Sequence, residues 1–190
     1  MLALIQGSNR RENATTPVIQ LLSDRLRGRG REVSVIDLTE LSGDLLHPDM
    51  YEAGVEHKWL AEAEAILKSA DGWLFALPEY NGSFPGALKL FLDALSVRDY
   101  DGLFGGGVAA LVGTASGRSG NVKGMEHLTS VLQYVGVTVM PGAQPVSGID
   151  ALLSEGRDRI VDADTIATLE GYADRFDRYV EAFRASTVAA

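Results

Sequence analysis

The chain has 190 residues, of which 46% are hydrophobic, and a formal net charge of −9. This composition permits one sizeable buried core, and no low-complexity segment divides the chain, so we predict a single domain over residues 1–190. The negative charge opposes binding to nucleic acids and anionic membranes. Because the sequence contains no cysteine, thiolate chemistry is excluded and any redox role requires a bound cofactor.

Two further classes of protein are disfavoured. The sequence has no apolar run near 18 residues and no basic segment followed by an apolar one at its start, so we expect a soluble, cytoplasmic protein. Its three histidines, His47, His57 and His127, are far apart in the sequence. They lack the spacing of metal ligands, and we expect no metal site.

Short apolar segments alternate with helical patterns along the chain. Strands are predicted at residues 2–6 (LALIQ), 32–38 (EVSVIDL), 72–77 (GWLFAL), 107–113 (GVAALVG) and 137–141 (VTVMP). Helices are predicted over residues 16–27, 55–68, 87–95, 121–135 and 162–184, and residues 40–51 are irregular. Five apolar strands separated by helices predict an α/β fold with a parallel sheet covered on both faces.

Three polar or glycine-rich loops follow the first, third and fourth predicted strands. They are GSNRRENATT (7–16), PEYNGS (78–83) and GTASGRSGN (113–121). Ligands of open parallel sheets bind outside the carboxyl ends of the strands, where the strand order reverses. The loops are therefore expected to form one continuous site.

The first loop combines a glycine, hydroxyl and amide groups and Arg10 directly before a helix. A phosphate there would receive hydrogen bonds from free backbone amides and charge from Arg10 and the helix dipole. The alternative is that Asn13, Thr15 or Thr16 simply caps the helix. Neither glycine fingerprint of the usual dinucleotide and ATP sites occurs in the sequence.

The second loop interrupts a buried strand. Pro78 keeps Leu77 extended, and Asn81-Gly82 is typical of a tight turn, so backbone groups are exposed beside the ring of Tyr80. That surface suits a planar heterocycle with donors and acceptors on its edge. A purely structural turn with a partly buried tyrosine is the alternative.

The third loop is rich in glycine and lets the backbone approach a flat ligand closely. Its amides precede a predicted helix and would stabilise negative charge on the edge of a ring. The order G-x-S-x-G is absent and no histidine is paired with Ser116, so hydrolysis is disfavoured.

Three segments resemble the NAD(P)H-dependent FMN reductases, which are flavodoxin-like flavoproteins that include quinone, azo-dye and chromate reductases. The segments are GSNR (7–10), LPEYNGSFPGALK (77–89) and GTASGRSG (113–120), and the resemblance extends over residues 1–146. It implies a flavodoxin-like three-layer sandwich with a five-stranded parallel sheet in the order 2-1-3-4-5. It also implies non-covalent FMN, NADPH or NADH as electron donor, a small-molecule acceptor, and a homodimer or homotetramer.

The resemblance also assigns candidate cofactor-binding residues. Ser8 and Arg10 would hold the FMN phosphate, together with Asn13, Thr15 and Thr16. The family often has serine and then asparagine where this chain has Asn13 and Thr15. The isoalloxazine would be lined by Pro78, Glu79, Tyr80, Asn81 and Gly82. Its pyrimidine side would meet Gly113, Thr114, Ala115, Ser116 and Gly117. No catalytic side chain is expected, since flavin itself accepts the hydride.

The function implied is that of an enzyme that passes hydride from reduced nicotinamide through FMN to a quinone, azo compound, free flavin or metal oxyanion. A flavodoxin-type electron carrier and a non-catalytic flavin-binding sensor are the alternatives. The helix after the second loop is apolar on several sides, which predicts a nearby subunit interface unless its own domain buries it.

Overall fold

Strands and helices alternate along the chain in the predicted order. The computed structural model describes residues 1–52 and 57–188. Its strands are β1 Leu2–Gln6, β2 Val33–Asp37, β3 Trp73–Pro78, β4 Val108–Thr114, β5 Thr138–Val139 and β6 Gln144–Val146. Its helices are α1 Thr15–Gly28, α2 Lys58–Ser69, α3 Gly86–Arg98, α4 Tyr100–Phe104, α5 Val122–Tyr134 and α6 Ala163–Val188. Of the helix predicted over residues 55–68, Val55 and Glu56 lie outside the described residues.

The three central strands form the middle of a parallel sheet. The order is β2-β1-β3-β4-β5, which confirms the predicted topology. In register, Ala3 of β1 lies opposite Trp73 of β3, which in turn lies opposite Ala109 of β4. Every residue of β1 and β4 is buried because helices cover both faces of the sheet.

The fifth strand is divided into two short pieces, where the sequence predicts one strand over residues 137–141. β5 pairs with the beginning of β4, and β6 pairs with its end. Pro141, which lacks a backbone donor, and Gly142, with φ of 75°, lie between them. A proline and a left-handed glycine cannot continue a regular ladder, so the edge strand is interrupted and then resumes.

Each central strand contributes to two separate cores because successive side chains point to opposite faces of the sheet. Leu4 packs in the core with α1 and α6, and its neighbour Ile5 packs in the core with α2, α3 and α5. The molecule is therefore a flavodoxin-like three-layer sandwich, as the family resemblance implies. Among the described helices, none has both the length and the apolar character needed to cross a membrane.

The apolar residues of α3 are buried by their own chain. Leu88, Phe91 and Leu95 have no exposed surface, and Leu92 is 4% exposed. They pack against the sheet, α2 and the short 3-10 turns that follow β2. Burial within one domain thus accounts for the apolar breadth of the helix without a second subunit.

Candidate functional site

The three loops lie side by side at the carboxyl edge of the sheet, because β3 is hydrogen-bonded to both β1 and β4. A cavity of about 200 Å³ lies between them. It is lined by Arg10, Glu12, Asn13, Ala14, Pro78, Glu79, Tyr80, Thr114, Ala115, Ser116, Ile149, Asp150 and Arg157. The structure thus brings residues of all three predicted loops around one cavity.

Gly7 lets the first loop leave the sheet in close contact with β3. Its N–H donates to the carbonyl oxygen of Ala76 at 2.8 Å. A Cβ atom at position 7 would lie 2.9 Å from that same oxygen and 3.3 Å from a methyl group of Leu88. Only glycine fits here without displacing the backbone, so the path of the loop depends on this residue.

Ser8 is fully buried and does not itself line the cavity. Its hydroxyl lies 2.7 Å from the hydroxyl of Tyr80 and accepts a hydrogen bond of 3.2 Å from the backbone N–H of Arg10. Its backbone is bonded to the side chain of Gln6. Ser8 therefore connects the first loop to the second, and its own backbone is fixed by the Gln6 side chain.

Arg10 is exposed and stacks on Tyr80, with its guanidinium carbon 4.4 Å from the ring centroid. Stacking occupies the face of a guanidinium and leaves its N–H groups, which lie in its plane, available for an anion. Within residues 1–52 and 57–188, no carboxylate forms an ion pair with Arg10. The neighbouring Arg11 instead lines an adjoining cleft of about 450 Å³.

Asn13 caps α1. Its side-chain oxygen accepts hydrogen bonds from the N–H groups of Thr15 at 3.0 Å and Thr16 at 2.9 Å. The capping role, one of the two alternatives for this loop, is thus filled by Asn13, which also lines the cavity. Thr16 lines the adjoining cleft instead. Thr15 is buried, and its hydroxyl has no hydrogen-bond partner among the described residues.

The second loop contains the predicted Asn-Gly turn. Tyr80 and Ser83 exchange backbone hydrogen bonds of 2.9 and 3.1 Å, with Asn81 at φ 53° and Gly82 at φ 74° between them. Two positive φ values identify a tight turn of the kind that joins hairpin strands. The turn places Tyr80 at the cavity, whereas Asn81 and Gly82 do not line it.

The second and third loops are also joined directly. The backbone N–H of Glu79 donates to the carbonyl of Thr114 at 2.9 Å, and its carboxylate accepts a hydrogen bond from the hydroxyl of Ser119. Gly113 lies inside β4 and does not line the cavity; a Cβ there would collide with the carbonyl of Gly120. Its role is to let the third loop fold back closely on the strand.

The remaining predicted residues of the third loop differ in position. Thr114, Ala115 and Ser116 line the cavity. Gly117 does not line it, and its carbonyl accepts a hydrogen bond of 3.0 Å from Gly148. The third loop therefore contacts the cavity over three consecutive residues.

Sequence reasoning missed several residues of the cavity wall, above all Asp150 and Arg157. Arg157 lies at φ 57° in a turn between Leu153 and Ile160 and donates to Asp150 at 2.6 Å. The hydrogen bond from Ser116, and after it the one from Arg157, holds the pKa of Asp150 below its ordinary value. The only sequence signal is the turn-forming segment SEGRDR (154–159), which does not reveal what the turn contacts. Glu12, Ala14 and Ile149 complete the set that was missed.

Comparison with known proteins places this geometry in a family. The family model described as NADPH-dependent FMN reductase matches residues 1–151. Among curated relatives, a 2-hydroxy-1,4-benzoquinone reductase from Burkholderia sp. is 27% identical over 179 residues, covering 94% of this chain and 95% of that protein. A quinone reductase from Escherichia coli strain K12 is 30% identical over 150 residues, covering 78% of this chain and 76% of that protein.

A solved structure shares the fold over nearly the whole chain. It is a flavoenzyme NAD(P)H:(acceptor) oxidoreductase from Paracoccus denitrificans, with a TM-score of 0.80 and 23% sequence identity. The alignment covers 96% of this chain and 97% of that one. At this level of identity, the likeness shows a common fold.

Proposed function

The chain belongs to the NADPH-dependent FMN reductase family, and we propose that its cavity binds FMN and that the protein passes hydride from NAD(P)H through this flavin to a quinone. One observation carries the proposal: the loops after β1, β3 and β4 converge on a single cavity at the edge of the sheet. The family membership supports the cofactor and the reaction class, and the lining of the cavity supports the choice of residues.

The first loop fits the phosphate end of FMN. Thr15 carries a buried hydroxyl with no partner in the described chain. Nearby, the backbone N–H groups of residues 11–14 donate to no other described protein atom, and the helix dipole of α1 adds positive potential. Arg10, which precedes these donors in the loop, lines the cavity and stacks on Tyr80. We propose that a phosphate bound at this loop accepts hydrogen bonds from donors of this set and takes its charge partner from Arg10.

The second and third loops fit the flavin ring. Pro78, Tyr80 and residues 114–116 also line the cavity. Its volume of about 200 Å³ is smaller than the roughly 300–1,000 Å³ of enclosed ligand pockets. We therefore propose that the ring is only partly enclosed, with one face open to the nicotinamide and then to the acceptor.

The chain's own residues bind and orient, and the bound flavin supplies the hydride chemistry. Glu79 is the one carboxylate in the second loop, but both its side chain and its backbone N–H are already engaged by the third loop. We propose that it positions the two loops relative to each other. No proton-transfer residue is needed for the reaction as proposed.

A quinone is the proposed acceptor because two relatives that align over most of this chain are named as quinone reductases. Azo compounds, free flavin and metal oxyanions are the other acceptors within the family resemblance.

A homodimer or homotetramer is likewise proposed on the resemblance alone, since α3 is buried by its own chain. Light scattering at micromolar concentration tests it, and a fully active monomer would contradict it.

The test of function uses the purified protein under anaerobic conditions. Chromatography of the released cofactor should give FMN and no FAD. Mixing the FMN-loaded protein with NADPH or NADH should bleach the flavin within seconds without a partner protein, and 1,4-benzoquinone should restore its colour.

The alternatives give different outcomes in the same experiment. An electron carrier of the flavodoxin type would hold FMN but would not be bleached by reduced nicotinamide. A flavin-binding sensor would hold FMN tightly with negligible steady-state turnover. Failure to bind FMN after incubation with it would reject the proposed site altogether.

A further inference from the structure

A buried glutamine side chain is hydrogen-bonded to the backbone of Ser8, in the loop that follows β1. Gln6 is the last residue of β1, and its side chain is 1% exposed. Its side-chain amide makes two hydrogen bonds to the same residue: Nε2 donates to the carbonyl of Ser8 at 3.0 Å, and Oε1 accepts from the N–H of Ser8. One side chain therefore satisfies both backbone groups of a fully buried residue.

The position of Ser8 explains why its backbone needs hydrogen bonds from a side chain. The pairing of β1 with its neighbours ends at Gln6, so the backbone of Ser8 has no strand partner. Buried N–H and C=O groups without partners are costly, and they are nearly always paired in native structures. The side-chain amide of Gln6 therefore provides the donor and the acceptor that a neighbouring strand would otherwise provide to the backbone of Ser8.

The side-chain amide of Gln6 is anchored by the neighbouring strand β2. The second N–H of Gln6 donates to Asp37, at the end of β2, at 2.9 Å. Asp37 also accepts from the N–H of Thr39 at 2.9 Å, which fixes the carboxylate. A flipped amide would place its oxygen against this carboxylate, so the network determines the orientation of the amide.

These hydrogen bonds connect Gln6, through Ser8, to two residues that line the cavity, Arg10 and Tyr80. With its backbone fixed, Ser8 presents its hydroxyl to Tyr80 at 2.7 Å and to the N–H of Arg10 at 3.2 Å. Ser8 and Arg10 are among the residues that the family resemblance assigns to the phosphate.

We propose that Gln6 is a positioning residue of the phosphate site, and that it sets the preference of the protein for phosphorylated flavin over riboflavin. The inference rests on the proposed FMN-binding function. Gln6 lies below the loop and does not line the cavity, so it acts through Ser8 and not by contact with the ligand. Its effect is therefore confined to ligands that carry a phosphate.

The test replaces Gln6 with methionine, which has a similar length but makes no comparable hydrogen bonds. Apoprotein is titrated separately with FMN and riboflavin, and flavin fluorescence is measured. For Gln6→Met the Kd for FMN should rise about ten-fold, as expected for losing one or two positioned hydrogen bonds. The Kd for riboflavin should change by less than about two-fold.

Tyr172→Phe provides the matched control. It also removes a buried side chain that bonds both backbone groups of one residue, Leu111, but in β4 and on the α6 side of the sheet. It should leave the ratio of the two Kd values unchanged even where it lowers the melting temperature. A change of that ratio in Tyr172→Phe equal to that in Gln6→Met would overturn the inference.

Asp37→Ala supplies a second variant at a less buried position. It leaves Gln6 in place but removes its anchor, and the FMN Kd should rise roughly two- to five-fold with riboflavin again unaffected. Equal losses for both ligands in Gln6→Met and Asp37→Ala, or no loss for FMN, would reject the role of Gln6. If the wild-type protein bound neither flavin, the proposed function itself would fail.

Discussion

The hydroxyl of Tyr80 lies 2.7 Å from the hydroxyl of Ser8, and this contact joins the loop after β3 to the loop after β1. The guanidinium of Arg10 stacks on the ring of the same tyrosine. Sequence reasoning assigned Tyr80 to the flavin ring, whereas its two contacts are with residues assigned to the phosphate. Tyr80 therefore lies between the two ends of the proposed FMN site.

Tyr80→Phe should weaken FMN binding by roughly two- to ten-fold, because it removes one hydrogen bond and keeps the ring beneath Arg10. If the Tyr80 hydroxyl donates to the Ser8 hydroxyl, Ser8 can donate its own proton to a phosphate oxygen, and the substitution removes this arrangement. Fluorescence titration of apoprotein measures the change. Tyr100→Phe is the control, since Tyr100 precedes β4 at the opposite edge of the sheet. An unchanged FMN affinity in Tyr80→Phe would show that the contact with Ser8 does not matter for binding.

Arg10→Ala should weaken FMN binding by about ten-fold to somewhat over a hundred-fold, since a charged hydrogen bond contributes roughly 1.5–3 kcal/mol. Arg11→Ala is the matched control, because Arg11 lines the adjoining cleft and should have a far smaller effect. With riboflavin, which lacks the phosphate, the penalty of Arg10→Ala should largely disappear. Equal losses for both ligands would mean that Arg10 acts through the structure of the loop.

Gly7→Ala should lower both stability and FMN affinity. The added Cβ would lie 2.9 Å from the carbonyl oxygen of Ala76, so the backbone must shift, at a cost of about 1–3 kcal/mol. Gly28→Ala is the control at the end of α1, where no atom lies within 4 Å of an added Cβ. That change should be neutral or stabilise by up to about 1 kcal/mol. Urea denaturation and FMN titration measure both, and wild-type behaviour of Gly7→Ala would refute the close contact.

Tyr172 should make the protein lose stability at high pH. Burial raises the pKa of Tyr172 to about 12, although its hydrogen bonds with Leu111 partly oppose the rise. An unfolded tyrosine titrates near 10, so the neutral form is favoured in the folded state. The contribution, roughly 2–3 kcal/mol, is fully present below pH 10 and is lost as the pH rises from about 10 to 12.

The measurement for Tyr172 is the free energy of unfolding in urea at several pH values. The wild-type curve should fall more steeply between pH 10 and 12 than the curve of Tyr172→Phe, which has no phenol to ionise at that position. Parallel curves would contradict the raised pKa.

The sequence alone determined the fold class and indicated that the three loops lie together at one edge of the sheet. Apolar runs such as LALIQ and WLFAL mark buried parallel strands because a strand covered on both faces needs hydrophobic residues throughout. The Asn81-Gly82 turn was equally predictable, since few other residue pairs adopt two positive φ values without strain. Local chemistry decides these features, so local sequence reveals them.

Only the tertiary structure decided which groups meet at the cavity. Asp150 and Arg157 lie well beyond the third loop in the sequence, and only the path of the chain after β6 brings them to the wall of the cavity. Gln6 looks like an ordinary strand residue in the sequence, yet its amide grips Ser8 because the sheet pairing ends there. Partners of this kind depend on where neighbouring strands stop. No single segment of the sequence records this, because it follows from the packing of the whole sheet.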